Sequence, residues 1–332
     1  MNSRMLEADM TLHLSEADVQ TAFTMPMAVA AVEDVSRKQA TGEVLLHPRR
    51  RFEFPDGRFF HQMAAADLSA DRVATKQYTY VGGKLKFIVS LYSMETGDLL
   101  ALIEGDYLSQ QRTGAASGVA TKYLARAGAK MAGIIGAGWQ ARAQLEAIAA
   151  VRKLESAVVF GRDTERREKF AKEMTAKLGF SVRAVGSSAE AAQGADIICT
   201  ATTASKPVLS GMDLAAGIHV NAIGANHMRK RELDDAAVLK ADVVIVDSIE
   251  QSKQEAGDLV QGFAGEPAKW DGVAELSQIV AGKTTGRTSD AQITLFKSNG
   301  IAAWDLAAAM RVYEEATKRG LGRQLPLWQP AS

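Results

Sequence analysis

The chain carries a single cysteine, Cys199, in 332 residues, so neither a disulfide framework nor a cysteine zinc cluster is open to it. It has no excess of charge. Its 39 Lys and Arg balance 39 Asp and Glu, which removes the electrostatic basis for a nucleic-acid or anionic-membrane partner. No run approaches the roughly 20 apolar residues of a membrane helix. The opening MNSRMLEADMTLHLSEADVQ has no long apolar segment and carries acids early, unlike a signal peptide. The expectation is a cytoplasmic protein whose partners include neither nucleic acid nor membrane. The five histidines, His13, His47, His61, His219 and His227, show no paired helical spacing, so no metal is expected. There is no G-x-S-x-G elbow, and Cys199 lies in the apolar stretch DIICTAT, where it reads as packing rather than a nucleophile. Repeats and low-complexity tracts are absent. What is abundant is apolar residue, 47% of the chain, enough core for two domains of ordinary size.

The first third reads as mixed α+β. Ser15 and Asp18 resemble a capping box, and Pro26 suits the first turn of a helix ending near Gly42. Strand-like pieces follow: EVLLHPRRRFEF, GRFFHQMAAA, RVATKQYTYV, LKFIVSLYS and LLALIEG. Turn signals at Pro55-Asp56-Gly57, Gly82-Gly83 and Thr96-Gly97-Asp98 separate them. DYLSQQRTGAASGVATKYLAR is a helix rich in small residues. After Lys130 short apolar strands alternate with helices, the pattern of right-handed crossovers and a parallel sheet. A last helix over roughly 300–319 places Ile301, Trp304, Ala308 and Val312 near one face.

GIIGAGWQARAQ, residues 133–144, opens that alternation. Gly136, Gly138 and Ala141 fit the G-x-G-x-x-G/A turn that cradles a dinucleotide pyrophosphate at a helix N-terminus. Such a motif is weak alone; the flanking strand–helix alternation strengthens it. The next strand ends in Gly161-Arg162 where an NAD site has Asp or Glu on the ribose. A missing carboxylate with a guanidinium beside it favours NADP(H). The alternative keeps NAD(H) and gives the ribose to Asp163, one residue later.

HPRRRF, TKQYTY and SQQRTGAAS each bring a cation, Arg50, Lys76 and Arg112. Three cations from separate segments suit a carboxylate substrate, although each taken singly reads as a surface charge.

Taken together, ATKQYTY, TGDLLALIEGDYLSQQRTGAASGVATKYLAR, GIIGAGWQARAQLEA, HVNAIGANHMRKRELDD and TLFKSNGIAAWDLAAA resemble the ornithine cyclodeaminase/mu-crystallin family over nearly the whole chain. The resemblance implies an α/β fold: a Rossmann-type doubly wound parallel sheet domain (126–304) inserted in an α+β dimerisation and substrate domain. The latter takes 1–125 and the C-terminal helix, about 305–332. It implies a homodimer. It assigns Arg50 and Arg112 to the substrate carboxylate, with Lys76 beside the reacting carbon and nitrogen. Thr113 and the turn Gly136, Ala137, Gly138, Gln140 and Ala141 are assigned to the cofactor. Thr200, Ala201 and Thr202, with Ser298 and Gly300, flank cofactor and active site.

Cyclodeaminases carry an acid/base aspartate where this chain has Asn226, and an amide cannot cycle a proton near neutral pH. The expected activity is therefore NAD(P)H-dependent reduction of 2-imino acids, cyclic ketimines or imines of 2-oxo acids and amines, to amino acids. Alternatives are an ornithine or lysine cyclodeaminase with bound NAD, and a non-enzymatic NADPH- or ligand-binding protein of the crystallin type. His61 stands where similar proteins have a small or apolar residue. It is carried, with Met63, as a candidate substrate contact; the alternative is a surface or dimer-contact histidine.

Overall fold

The computed structural model describes residues 9–327. In chain order it begins β1 (Asp9–Leu14), α1 (Glu16–Ala22), α2 (Met25–Thr41), β2 (Val44–Glu53), β3 (Phe59–Asp67), β4 (Arg72–Val81), β5 (Lys84–Ser93), β6 (Leu99–Glu104) and α3 (Asp106–Leu124). Then come β7 (Met131–Ile135), α4 (Trp139–Val151), β8 (Ser156–Phe160), α5 (Thr164–Leu178), β9 (Ser181–Ala184), α6 (Ser188–Ala192), β10 (Ile197–Thr200), β11 (His219–Ala222) and α7 (Asp235–Lys240). The chain closes with β12 (Val243–Val246), α8 (Ile249–Glu255), α9 (Gly257–Gly262), β13 (Ala274–Glu275), α10 (Leu276–Val280), β14 (Thr294–Lys297), α11 (Ala302–Arg319) and β15 (Arg323–Leu327).

Two sheets result. The first runs β15-β1-β6-β5-β4-β3-β2, with β2 to β6 as an antiparallel meander. The turn signals of the sequence fall between its strands. Period-two alternation turns Met63, Ala65, Ala74, Lys76, Tyr78, Val89, Leu91 and Ile103 to one buried face. Helices α2, α3 and α11 pack together, and α11 lies against β3 and β4. The capping box forms: Ser15 accepts from Asp18 N, and Asp18 accepts from Ser15 N at 3.0 Å. On α11, Leu306 and Val312 are fully buried, each worth about 1.5–3 kcal/mol of transfer free energy. The helix expected over roughly 300–319 forms as α11, but it does not run on past Arg319 as the bounds of about 305–332 given with the resemblance would have it. Gly320 adopts a left-handed conformation after Arg319, and the chain turns into β15, which pairs antiparallel with β1. Residues 328–332 of that expectation lie outside the described range.

The second sheet is wholly parallel, in the order β13-β12-β14-β11-β10-β7-β8-β9. Strands β8 and β9 lie on one side of β7 and β10 and β11 on the other. The order therefore reverses between β7 and β10, and a crevice opens beyond their C-terminal ends. This is a Rossmann-type doubly wound sheet.

Helices α3 and α4 cross between the two sheets at backbone distance. A Cβ on Gly114 would run into the Ala143 carbonyl, and one on Gly118 would stand 3.1 Å from the Ala147 carbonyl oxygen. The small residues of α3 are thus the contact by which the first unit meets the helix following the glycine turn. Among the described residues no helix is long and apolar enough to cross a membrane.

Gly114→Ala is expected to destabilise the fold by about 1–3 kcal/mol, because α4 must move to admit the methyl group. Urea unfolding checks this, and an unchanged midpoint would show that the crossing has slack.

Candidate functional site

The crevice begins at β7. Gly136 follows it with φ of +116°, and a Cβ there would enter the Ala201 carbonyl; only glycine fits. Gly138 is the N-cap residue of α4, without a capping side chain and with open space where a Cβ would stand. The free N–H groups of the first α4 turn can therefore meet an anion at close range. Ala141 is buried against the sheet. Ala137 lies at the turn, 2.9 Å from where a Cβ on Gly161 would stand. Gln140 has a buried side-chain oxygen with no partner among the described residues. These features fit a dinucleotide.

At the end of β8, Arg162 is exposed. Asp163, also exposed, has one oxygen in a cap. It is the N-cap of α5, accepting from Arg166 N at 3.0 Å.

A buried cluster of two cations and one carboxylate lies on the buried face of the first sheet. Lys76 Nζ donates to Asp305 Oδ1 at 2.8 Å, and Arg112 Nε donates to the same oxygen at 2.9 Å. All three side chains are at most 8% exposed. Burial and the Arg112 guanidinium push the Lys76 ammonium down to about 7, against the pull of Asp305. Burial would raise the Asp305 carboxyl, but Arg112 and Lys76 outweigh it and hold it below the usual carboxylate range. Lys76 also lies over the Phe87 ring, 4.9 Å from its centre. The terminal nitrogens of Arg112 make no hydrogen bond among the described residues. Nη1 faces Gly300, where a Cβ would stand 2.9 Å away.

The arginine run of β2 is sorted by strand alternation and a bulge between His47 and Arg50. Arg50 is exposed and forms no ion pair among the described residues, at the edge of a cleft of about 330 Å³. Contrary to the expectation from the sequence, it does not join Lys76 and Arg112 around Asp305. Arg49 turns inward instead. It pairs with Glu255 at 2.5 Å and donates to the carbonyls of Asn299 at 2.8 Å and Gly300 at 3.2 Å. Arg51 pairs with the other Glu255 oxygen and donates to the Asn226 carbonyl at 2.9 Å. Asn226 thus meets the cleft residue Arg51 through its backbone.

Met63 stands opposite Lys76, buried, in the β3–β4 register. His61 pairs across with Arg51 and Tyr78 and is 6% exposed, so it is not a surface residue. Its Nδ1 is 2.7 Å from the Tyr78 hydroxyl, and Phe59 stacks on it. Burial, Arg51 and Arg49 push it down to about 3, so its ring is neutral.

The opposite wall is braced by buried carboxylates. Asp247 accepts from Ser298 Oγ (3.1 Å), Asn299 N (2.7 Å) and Gly300 N (2.6 Å) and fixes the loop after β14. Glu232 accepts from Thr200 Oγ1 at 2.8 Å, and from Thr202 N, Thr202 Oγ1 and Gly224 N at 2.7 Å each. Asp258 accepts from the backbone of Glu232 and Leu233 and pairs with Lys297 at 3.0 Å. Thr200 is therefore a brace inside the protein, fully buried, while Ala201 and Thr202 are half-buried at the crevice. Thr113 is half-buried, next to Arg112.

Sequence reasoning missed Asp305, Glu255, Asp247 and Glu232. Asp305 had a signal: it is a lone acid on the buried face of the otherwise apolar IAAWDLAAAM, which demands a cation.

Comparison with known proteins gives one consistent result. The model of the ornithine cyclodeaminase/mu-crystallin family matches residues 9–320. A Delta(1)-pyrroline-2-carboxylate reductase of Bacillus cereus (strain ZK / E33L) is 44% identical over 239 residues, 72% of this chain and 73% of that protein. The structure of Thermococcus litoralis Delta(1)-pyrroline-2-carboxylate reductase with NADH and L-proline superposes with a TM-score of 0.92. It has 36% identity and covers 95% of this chain and 100% of that one. An archaeal alanine dehydrogenase dimer with bound NAD superposes with a TM-score of 0.90 at 31% identity, covering 96% and 100%.

Removing Asp305 leaves two buried cations without their carboxylate. Asp305→Asn is expected to cost about 3–5 kcal/mol of stability. The unfolded lysine titrates near its ordinary value of 10.5 and the folded one near 7, so the unfolded state holds more protons between those values. The Lys76 contribution to stability therefore rises with pH across that window. The Asp305→Asn loss should then be larger at pH 6 than at pH 9, in denaturant unfolding at both. Equal losses would show that Lys76 is not the strained cation.

Proposed function

The chain belongs to the ornithine cyclodeaminase/mu-crystallin family, and from that premise we propose that it is an NAD(P)H-dependent reductase of 2-imino acids. Its substrates would be cyclic ketimines or imines of 2-oxo acids and amines, and its products amino acids. The observation that carries this reading is the shared Asp305 oxygen, which joins an ammonium that burial and Arg112 bring down to about 7 to a guanidinium with a free fork. The cleft charges agree. Lys76 and Arg112 share Asp305, and Arg49 and Arg51 share Glu255, so each pair of cations has a single carboxylate between the two, and an anionic substrate is favoured. The relatives named pyrroline-2-carboxylate reductase act on such a compound by name.

In this reading the bound nicotinamide supplies the hydride. Arg112 grips the carboxylate with its terminal nitrogens, and Arg49 takes the second position first expected of Arg50. Lys76 places a proton at the imine nitrogen, which makes the carbon electrophilic. Asp305 orients both cations and keeps Lys76 from losing its proton too readily. Asn226 supplies no acid/base carboxylate, which favours reduction over deamination. Gly138 and the α4 N-terminus hold the pyrophosphate.

We further propose that Arg162, unpaired among the described residues, receives a 2′-phosphate, so that NADPH is preferred. The Thermococcus reductase and archaeal dehydrogenase structures hold NADH and NAD, so this would separate the present chain from them. Residues 1–125 with the C-terminal helix would form the substrate and dimerisation unit and 126–304 the nucleotide unit, in a cytoplasmic homodimer.

The test is nicotinamide oxidation with cyclic ketimine carboxylates and with 2-oxo acids plus ammonia or methylamine, using NADPH and NADH side by side. Lys76→Met should lower turnover by about 100- to 10,000-fold while coenzyme affinity holds. Ammonia release from ornithine, without coenzyme oxidation, would instead establish the lyase.

In the wild type, kcat/KM should fall as pH rises through about 7. Asp305→Asn should move that limb to lower pH, since the carboxylate supports the Lys76 proton; an unmoved limb assigns the titration to the substrate.

Arg162→Ala should raise the KM for NADPH by about 10- to 100-fold and leave that for NADH unchanged. Equal effects on both coenzymes would remove the phosphate assignment.

A further inference from the structure

Glu232 has no part in the chemistry above, yet it is fully buried and accepts four hydrogen bonds from two separate loops. We propose that Glu232 is a positioning residue for the nicotinamide dinucleotide, setting the spacing of the loops after β10 and β11 that form the cofactor wall. This rests on the reductase reading, because it presumes that the crevice takes a dinucleotide.

The loops present only donors to this carboxylate: two backbone N–H groups and two threonine hydroxyls. An ionised carboxylate accepts all four, whereas an amide at the same place would oppose one N–H with another. The loops also touch through their backbones, since a Cβ on Gly224 would enter Thr202. Ala201, between the two threonines, closes on Gly136 of the glycine turn, so the separation set by Glu232 is transmitted to the phosphate-binding turn. Glu232 is itself anchored. Asp258 holds its backbone N–H at 2.6 Å, and Lys297 pairs with Asp258 and donates to the Ala225 carbonyl, one residue before Asn226. One buried chain of charges thus runs from the cofactor wall to the loop at the substrate cleft.

The experiment is titration of the purified full-length protein with NADH and with NADPH, read by tryptophan fluorescence, alongside steady-state kinetics. Glu232→Gln should raise the Kd for both dinucleotides by about tenfold or more, because it leaves a buried donor opposed. The KM for the imine should hold. Asp196→Asn serves as the stability control. Asp196 binds Arg126 and the Lys130 and Met131 N–H groups at the N-terminal ends of β7 and β10, opposite the crevice, and its loss should leave the Kd unchanged. If Glu232→Gln does not fold, Glu232→Asp keeps the charge but cannot span both loops, and should weaken binding likewise. Wild-type affinity in a folded Glu232 variant, or an equal loss in Asp196→Asn, overturns the proposal. A wild-type protein that binds neither dinucleotide overturns the reductase reading, and this inference with it.

Discussion

One carboxylate oxygen, Asp305 Oδ1, organises the buried face of the first sheet. It receives a lysine from β4 and an arginine from α3 while sitting on α11, so three elements distant in sequence meet at one atom. Two cations in a space closed to water repel each other, and the repulsion is tolerable only because the anion lies between them. The compromise leaves Lys76 poised rather than fully charged, and leaves Arg112 with its fork free. The need to bury this group explains why the C-terminal helix returns to a sheet built by the first third of the chain.

The same logic recurs on the nucleotide side with the signs exchanged. There the buried groups in need of partners are backbone N–H donors at the ends of parallel strands, and Asp247, Glu232 and Asp258 serve as acceptors. Burial raises the carboxyls of Asp247 and Glu232, and the donors around them pull the other way. The loops after β10, β11 and β14 are each tied to a buried carboxylate through backbone N–H groups.

Much of this was legible in the sequence, and the legible part was local. Gly136, Gly138 and Ala141 declare a turn because backbone geometry leaves few other residues possible there. The strands of the first sheet declare themselves by alternation and by the glycine and proline signals between them. Lys76 and Arg112 stood out through resemblance, and the structure places them on one oxygen. What was not legible depended on pairing across distance. Arg49 and Arg50 are adjacent and chemically identical; a bulge that shifts register decides which one faces inward, and no composition reveals it. The strand β15 has no partner until β1 is in place, so its segment reads as a helical tail. That Asp163, a candidate for the ribose, also caps α5 shows only in the structure.

The crossing of α3 and α4 bears on how such a scaffold diversifies. Arg112 rides on α3, and the glycine turn leads into α4; the two helices touch carbonyl to glycine at Gly114 and Gly118. The span between Arg112, the proposed substrate-binding group, and the glycine turn proposed to take a nucleotide is therefore set by main chain, independently of which side chains line the cleft. Evolution can exchange the residues of β2, β3 and the 225–230 loop to admit a different ligand while inheriting the same reaction distance. Glycines that touch neither ligand then become as intolerant of drift as the lysine at the centre.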